Sequence, residues 1–138
     1  MQLRLLLILL CGLALVSCKK ADTAPDLAAT VVGTYTLSSF STTGTQPIAI
    51  TDVTSGTAVA TRNGNALTNV VFAINFVGKA AGVEAKLSQS QPIELTQSGS
   101  NIDLYSGTTK VGTYSNKVIT VSNYNVSGFT VNFTATKP

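Results

Sequence analysis

The sequence predicts an all-β domain, built as an antiparallel meander of about eight strands. From about residue 31 onward, Thr, Ser, Val, Asn and Gly dominate while Leu becomes scarce, and β-branched residues are typical of strands. Several segments alternate apolar and polar residues with period two, as expected for antiparallel sheets with one buried face. Turn-forming residues separate these segments at the short spacing typical of all-β folds.

The chain begins with an apolar leader that precedes this domain. Residues 1–17 carry one positive charge, Arg4, ahead of an uncharged apolar run that ends in small residues. This is the layout of an export signal, and the run is shorter than the roughly 20 apolar residues that a membrane-spanning helix needs. The segment is therefore predicted to be a signal peptide that forms a helix before the domain.

The end of the leader resembles the lipobox of bacterial lipoproteins. Leu15-Val16-Ser17-Cys18 supplies the apolar, variable, small and cysteine residues of that family in the right order, whereas Cys11 follows a bulky leucine and does not fit. The resemblance implies that Cys18 receives a diacylglycerol and becomes the mature N-terminus. Acyl chains of this kind hold a protein at a bilayer surface, so the membrane is the expected partner of Cys18.

Residues 18–30 are predicted to form the lipidated N-terminus and a flexible tether, because they are polar and contain a proline. The two lysines directly after Cys18 resemble lipoproteins of the Bacteroidetes. In lipoproteins generally, an acidic residue at this position favours retention in the inner membrane. Lys19 is not acidic, so the outer membrane is expected, on its periplasmic or its surface face. No segment of the mature domain shows helical periodicity, and the best candidates for a helical turn or two are residues 24–30 and 78–82.

The β-domain is predicted to span residues 31–138. Asn63-Gly64 is its strongest hairpin signal, since both residues tolerate positive φ, and further turns are expected at residues 106–109 and 115–116. Gly128 lies inside an apolar run and is interpreted as a bulge. The alternating segments predict these inward-facing residues: Val70, Phe72, Ile74, Phe76, Val83, Ala85, Leu87, Ile93, Leu95, Ile102, Leu104, Phe129, Val131 and Phe133.

A further hairpin is predicted around Pro92, because proline is tolerated at the first residue of a strand. If Leu87 pairs with Ile93, then Lys86 lies opposite Glu94 on the solvent side. Slipping the register by two residues would instead place two glutamates opposite each other, and like charges repel. The sequence therefore predicts a Lys86–Glu94 pair.

Sequential hairpins favour an up-and-down barrel, with a two-sheet β-sandwich as the alternative. Val32-Gly33-Thr34-Tyr35 resembles the Gly-x-Trp opening of lipocalin-like domains, with Tyr35 at the Trp position. Residues 102–105, 111–114 and 118–120 are similar in rhythm to small lipocalin-like lipoproteins of the Bacteroidetes. The resemblance implies a barrel that binds a ligand. A barrel of eight strands is either filled by side chains or holds one small ligand.

Composition excludes several classes of function. Histidine is absent, which rules out a Ser-His-Asp triad and argues against a Cys/His zinc site. The formal net charge is +3 with 11% charged residues, too few for a basic nucleic-acid face. The domain's carboxylates show no pairing for glycoside hydrolysis or clustering for calcium; they are Asp52, Glu84, Glu94 and Asp103. We therefore expect a non-enzyme with no catalytic, cofactor-binding or metal-ligating residue.

The aromatic residues are the remaining candidates. Phe72, Phe76, Phe129 and Phe133 either line an apolar ligand pocket or fill the core, and the core is favoured because a small domain needs its large side chains for stability. The tyrosines form either a carbohydrate or peptide platform or the barrel ends; they are Tyr35, Tyr105, Tyr114 and Tyr124. The expected function is a non-enzymatic binding module for a small apolar ligand, a glycan or an envelope protein. The alternative is a structural or adhesion component of the cell envelope, and an enzyme ranks last.

Overall fold

The computed structural model describes residues 24–43, 50–80, 82–126 and 128–138. They form a closed barrel of eight antiparallel strands in sequence order, which confirms the predicted up-and-down barrel over the sandwich. The leader, Cys18 and the first part of the proposed tether, up to residue 23, lie outside the described residues. The elements are α1 (Leu27–Val31), β1 (Gly33–Thr43), β2 (Ile50–Arg62), β3 (Asn69–Ala80), β4 (Val83–Ser98), β5 (Asn101–Ser106), β6 (Thr109–Ser115), β7 (Val118–Val126) and β8 (Phe129–Thr136).

Residues with positive φ make the turns between strands. Gly64 and Gly107 have φ of 57° and 60° in the β2–β3 and β5–β6 connections, as the sequence predicts. Asn116 and Lys117 are both left-handed in the β6–β7 turn, which is the geometry of a two-residue hairpin. The bulge predicted at Gly128 is wrong, because this residue, with φ of 87°, belongs to the turn between β7 and β8.

The hairpin predicted around Pro92 is wrong, since β4 runs through this residue as one strand. Both arms of the supposed hairpin pair with β3 instead of with each other. Lys86 lies opposite Val77 and Glu94 lies opposite Asn69. The Lys86–Glu94 pair therefore does not form.

The direction of the backbone explains why Pro92 is tolerated inside a strand. The N–H of Leu95 donates to the carbonyl oxygen of Thr68 on the β3 side at 2.8 Å. Because N–H groups alternate between the two edges of a strand, the nitrogen of Pro92 faces the β5 side. There β5 pairs with β4 only from Glu94 onward, so no ladder hydrogen bond is lost, which is the edge position that proline tolerates.

The barrel interior is an apolar core. Aromatic rings from several strands meet in it: Phe72 and Phe133 are stacked at 6.2 Å between centroids, and Phe40 lies 4.2 Å from Phe76. All of the inward-facing residues predicted on β3 and β5 belong to it, as do two of the three on β8 and two of the five on β4. The prediction is wrong for Val83 on β4, which is exposed because it lies at the open end of the strand next to the turn. The large, almost fully buried side chains are Tyr35, Tyr124, Phe72, Ile74, Ile93, Leu104, Ile119, Val31, Val70, Val126 and Val131.

A short helix packs against the barrel where β2, β3 and β4 meet. Of the two candidate helical segments, residues 24–30 overlap α1, whereas residues 78–80 belong to β3 and Gly82 lies in a turn. Asp26 caps α1 by accepting the Ala29 N–H at 2.9 Å, and its other carboxylate oxygen pairs with Arg62 at 2.7 Å. The Arg62 guanidinium and the Ala29 N–H hold the pKa of Asp26 below its usual value.

Three buried side chains attach α1 to the barrel: Leu27, Ala28 and Val31. The Ala28 N–H also donates to the Leu67 carbonyl oxygen at 2.8 Å in the β2–β3 connection. Any flexible tether must therefore end before Leu27. Within the described ranges, no helix is long and apolar enough to cross a membrane.

Two buried tyrosines offer a matched pair of substitutions. The Tyr35 hydroxyl donates to the carbonyl oxygen of Val31 at the end of α1, whereas the Tyr124 hydroxyl has no hydrogen-bond partner among the described residues. Burial raises the pKa of both phenols.

Tyr35→Phe is expected to lower the free energy of unfolding by about 1–3 kcal/mol, because it leaves a buried carbonyl without its donor. Tyr124→Phe is expected to leave this free energy unchanged or to raise it, since the hydroxyl it removes is buried and unsatisfied. Denaturant unfolding of the two variants side by side measures the difference. An equal loss in both would contradict the role of Tyr35 as the anchor of α1.

Candidate functional site

Three of the four phenylalanines considered as ligand-facing or core residues lie in the core. Phe72, Phe76 and Phe133 each expose 2% of their surface, and Phe129 is half-buried. The rings of Phe72 and Phe133 are nearly parallel, with 7° between their planes. The rings of Phe72 and Phe133 therefore pack against each other inside the barrel, in the space that an apolar ligand would have to occupy.

The four tyrosines do not share one platform. Tyr35 and Tyr124 are buried. Tyr114 is half-buried and packs edge-to-face on Tyr35, with 6.5 Å between ring centroids. Tyr105 is half-buried on β5, opposite Lys110. A stacking surface for a sugar or a peptide is therefore not assembled from these residues.

A row of mostly hydroxyl side chains crosses six neighbouring strands on the outer wall. Thr120 lies opposite Thr113 on one side and Thr134 on the other. These side chains point outward, because the residues that flank them in sequence point into the core. With about 4.8 Å between strands, the row is about 24 Å long. Its members in strand order are Thr96, Asp103, Thr113, Thr120, Thr134 and Ser39.

The wall formed by β7, β8 and β1 is uncharged. None of these three neighbouring strands contains Asp, Glu, Lys or Arg. Ser, Thr and Asn occupy most of their outward positions, in contrast to β4 and β6, which carry charged residues on the same wall. We call the central part of this wall the hydroxyl face; it consists of Ser39, Ser41, Thr120, Ser122, Asn132 and Thr134.

A groove of about 280 Å³ crosses the hydroxyl face at right angles to the strands. One wall is the row Ser39, Thr134 and Thr120, and the other is formed by Ser41, Asn132 and Ser122. The residues that line the groove between these two rows are Phe40, Phe133 and Val121. A second cavity of about 270 Å³ shares Thr120 and Ser122 with this groove and also touches Lys110 and Thr113 on β6. The two cavities together, which we call the transverse groove, border four strands, or about 14 Å between the outermost ones.

A bulge in β7 shapes one wall of the groove. The pairing of β7 with β8 shifts between Val121 and Tyr124, and Asn123 within this bulge has φ of 59°. The Asn123 N–H donates to the Oδ1 atom of Asn132 at 2.9 Å. Bulges commonly re-aim side chains, and this one fixes the amide of Asn132 on the hydroxyl face.

An ion pair lies at the β6 end of the groove. The Lys110 Nζ atom is 2.8 Å from the Asp103 Oδ1 atom. Asp103 alternates with the apolar residues Ile102 and Leu104, as solvent-facing residues do, yet it is only 8% exposed. The Asp103 side chain does point outward, but Lys110, Thr96 and Thr113 lie beside it on the adjacent strands, which explains its low exposure.

The other acidic residues lie apart from this groove. Glu84 is 3.2 Å from Lys86 on β4, and Glu94 accepts a hydrogen bond from Asn69 at 2.7 Å. The side chain of Asp52 lies outside the described residues. In the described part of the chain, no three acidic or cysteine side chains come together as a metal site would require.

Sequence reasoning missed the hydroxyl face. The available signal was the absence of charge from β1, β7 and β8, but only the strand order shows that these three strands are neighbours. No family model, curated protein or solved structure matches the chain.

Proposed function

We propose that the protein is a lipid-anchored, non-enzymatic module of the bacterial cell envelope that binds a neutral glycan on its hydroxyl face. The observation that carries this proposal is the transverse groove, whose walls across β1, β8 and β7 consist of uncharged hydroxyl and amide side chains. Such groups both donate and accept hydrogen bonds, as the hydroxyls of a sugar do. A neutral ligand needs no charged partner, which fits a wall without charges.

A small apolar ligand inside the barrel is less well supported. A cavity lined by Leu37, Phe40 and Val53, together with two serines, measures about 180 Å³. This cavity is smaller than the groove on the hydroxyl face, which measures about 280 Å³. The larger cavities lie on the outer wall, including one of about 370 Å³ that Asn75, Val77 and Lys86 border. The structural or adhesion alternative has no separate feature that favours it.

The choice of ligand is tested by binding of the full-length, detergent-solubilised protein to three classes of probe. We expect saturable binding to a neutral polysaccharide from a panel that includes envelope glycans. We also expect this binding to persist in high salt, because screening weakens only charged contacts. A fluorescent fatty acid should not bind saturably. Saturable binding of the fatty acid, or glycan binding that high salt abolishes, would contradict the proposal.

The anchor is a separate part of the proposal and rests on residues 1–18. The apolar leader and the lipobox-like Leu15-Val16-Ser17-Cys18 support export and acylation. Lys19 after the cysteine supports delivery to the outer membrane.

Cys18→Ala is expected to leave the protein unprocessed or soluble, because the acyl chains can no longer be attached at residue 18. Membrane fractionation of cells that produce the variant and the wild type measures this. If the variant sediments with outer membranes and is processed like the wild type, the lipobox interpretation is wrong.

A further inference from the structure

We propose that two copies of this chain pair through one edge of β4 to form a two-fold symmetric dimer. β4 is paired with β3 along its whole length, but β5 pairs with it only over Glu94–Ser98. Among the described residues, no strand pairs with the other side of Val83–Ser88, which we call the β4 edge. A strand edge of this kind is a template for another strand, and the proposal does not depend on glycan binding.

The ladder between β3 and β4 shows which backbone groups face this edge. Pairing is regular from Asn69 to Ala80, with no shift in register. Since the Leu95 N–H donates to the β3 side, odd-numbered residues of β4 use their backbone groups on β3. The backbone groups of Glu84, Lys86 and Ser88 therefore point to the β4 edge.

An exposed apolar residue lies at the same edge. Val83 is 70% exposed, the most exposed of the large apolar side chains in the described residues, and Leu67 follows at 40%. Leu87, four residues later, is on the same side of the strand and half-buried. A second strand added here would cover Val83. Burial of this apolar side chain would contribute to the association of the two copies.

Charge selects one register for the pairing of two β4 edges. A two-fold axis at Ala85 places Glu84 opposite the partner's Lys86, and Lys86 opposite the partner's Glu84. It also places Val83 opposite the partner's Leu87. Moving the axis by one residue in either direction would place Glu84 or Lys86 opposite its own copy. Opposite charges stabilise a cross-strand pair and like charges destabilise it.

The chain already carries this charge pattern without a partner. Lys86 and Glu84 form an ion pair at 3.2 Å with both side chains well exposed, and Lys79 on β3 is opposite Glu84. In the dimer, the four charges of the two edges alternate in sign around the axis. If the two-fold axis lay beyond Lys86, neither Glu84 nor Lys86 would be opposite a residue of opposite charge. A second copy therefore fits this edge in the Ala85-centred register.

The edge is also bounded at both ends. Gly82, with φ of 83°, turns the chain before Val83, and Pro92 offers no N–H on this side of the strand. Pairing is thus restricted to a short segment. A short, bounded edge favours a closed dimer over an extended stack of strands.

Cysteine cross-linking tests the axis directly. In the proposed register, Ala85 lies opposite the partner's Ala85 as a non-hydrogen-bonded pair with about 4.5 Å between Cα atoms, within the range for a disulfide. Ala85 is opposite Gly78 on β3, so a cysteine has room. Ala85→Cys in the full chain, oxidised with copper phenanthroline in intact cells, is expected to give a disulfide-linked dimer on a non-reducing gel.

Val83→Cys is the matched control, because residue 83 is more exposed than residue 85 but lies about 14 Å from its own copy in this register. It should give little dimer, and the wild type reports any cross-linking through Cys11 or Cys18. If Ala85→Cys gives no more dimer than Val83→Cys, the proposed dimer is wrong.

Charge reversal tests the register. In the Ala85→Cys background, Lys86→Glu places two negative charges opposite each other and should reduce the dimer at least severalfold. Adding Glu84→Lys restores opposite charges and should restore the dimer. Both side chains are well exposed, so the fold should tolerate the exchange. Undiminished cross-linking in the single reversal, or none in the double reversal, would overturn the register.

Discussion

Phe72→Ala is expected to lower the free energy of unfolding by about 3–5 kcal/mol, as truncation of a large buried aromatic residue does. The Phe72 ring is 2% exposed and stacks on Phe133. Its neighbour on β2 is Ala60, whose methyl group is too small to fill the space. The cost therefore combines the lost burial of the ring with the cavity left behind. Guanidinium-induced unfolding measures this loss.

Two further variants make this result interpretable. Phe72→Leu should cost less than Phe72→Ala, because it leaves a smaller cavity, and it keeps the comparison possible if the alanine variant does not fold. Leu67→Ala removes a large apolar side chain that is 40% exposed and should cost about 1 kcal/mol or less. If Phe72→Ala also costs less than about 1 kcal/mol, the ring lines empty space and the barrel is hollow.

Gly112→Ala is expected to destabilise the barrel by about 3 kcal/mol or more, at or above the usual cost of overpacking. A Cβ atom at this position would lie 2.4 Å from the carbonyl oxygen of Thr120 on the adjacent strand. The backbone of β7 would have to move, since no side-chain rotation relieves the contact. The same movement would disturb the groove at Thr120.

Gly56→Ala is the control for Gly112→Ala. A Cβ atom at Gly56 would lie 2.9 Å from the Cδ2 atom of Leu37, the far end of a flexible side chain. We expect a clearly smaller loss of stability, measured by the same unfolding experiment. A Gly112→Ala variant as stable as the wild type would show that β6 and β7 are not packed as closely as the structure describes.

Local patterns predicted the part of the fold that depends on local properties. The alternation Val70, Phe72, Ile74 and Phe76 identified four residues that are all buried on β3. Burial of every second residue depends only on the geometry of a single strand with one apolar face. It can therefore be predicted from the sequence without knowing which strands are neighbours. The turns at Gly64 and Gly107 were predicted for the same reason, because positive φ is a local requirement.

Features that depend on neighbouring strands could not be predicted in this way. Pro92 looked like the start of a strand, but its place within β4 depends on where β5 begins to pair. The burial of Asp103 depends on Lys110, which lies on the next strand past a shift in register. The hydroxyl face depends on the registers of several strands at once, and no single segment contains its pattern.

We expect the filled barrel to carry its binding surface on the outer wall. This expectation is tested most directly by a double variant, Thr120→Val with Thr134→Val, which removes two hydroxyl groups from the groove while keeping β-branched side chains of similar shape. The matched control is Thr57→Val with Thr61→Val, two exposed threonines on β2 away from this groove.

The measurement is the affinity of the full-length proteins for the neutral polysaccharide that the wild type binds most tightly in the panel. Each hydrogen bond contributes about 0.5–1.5 kcal/mol, so losing two predicts roughly fivefold or greater weakening for the groove variant. The control variant should bind like the wild type. Equal affinity of the groove variant, the control and the wild type would contradict the claim that the hydroxyl face is the binding surface.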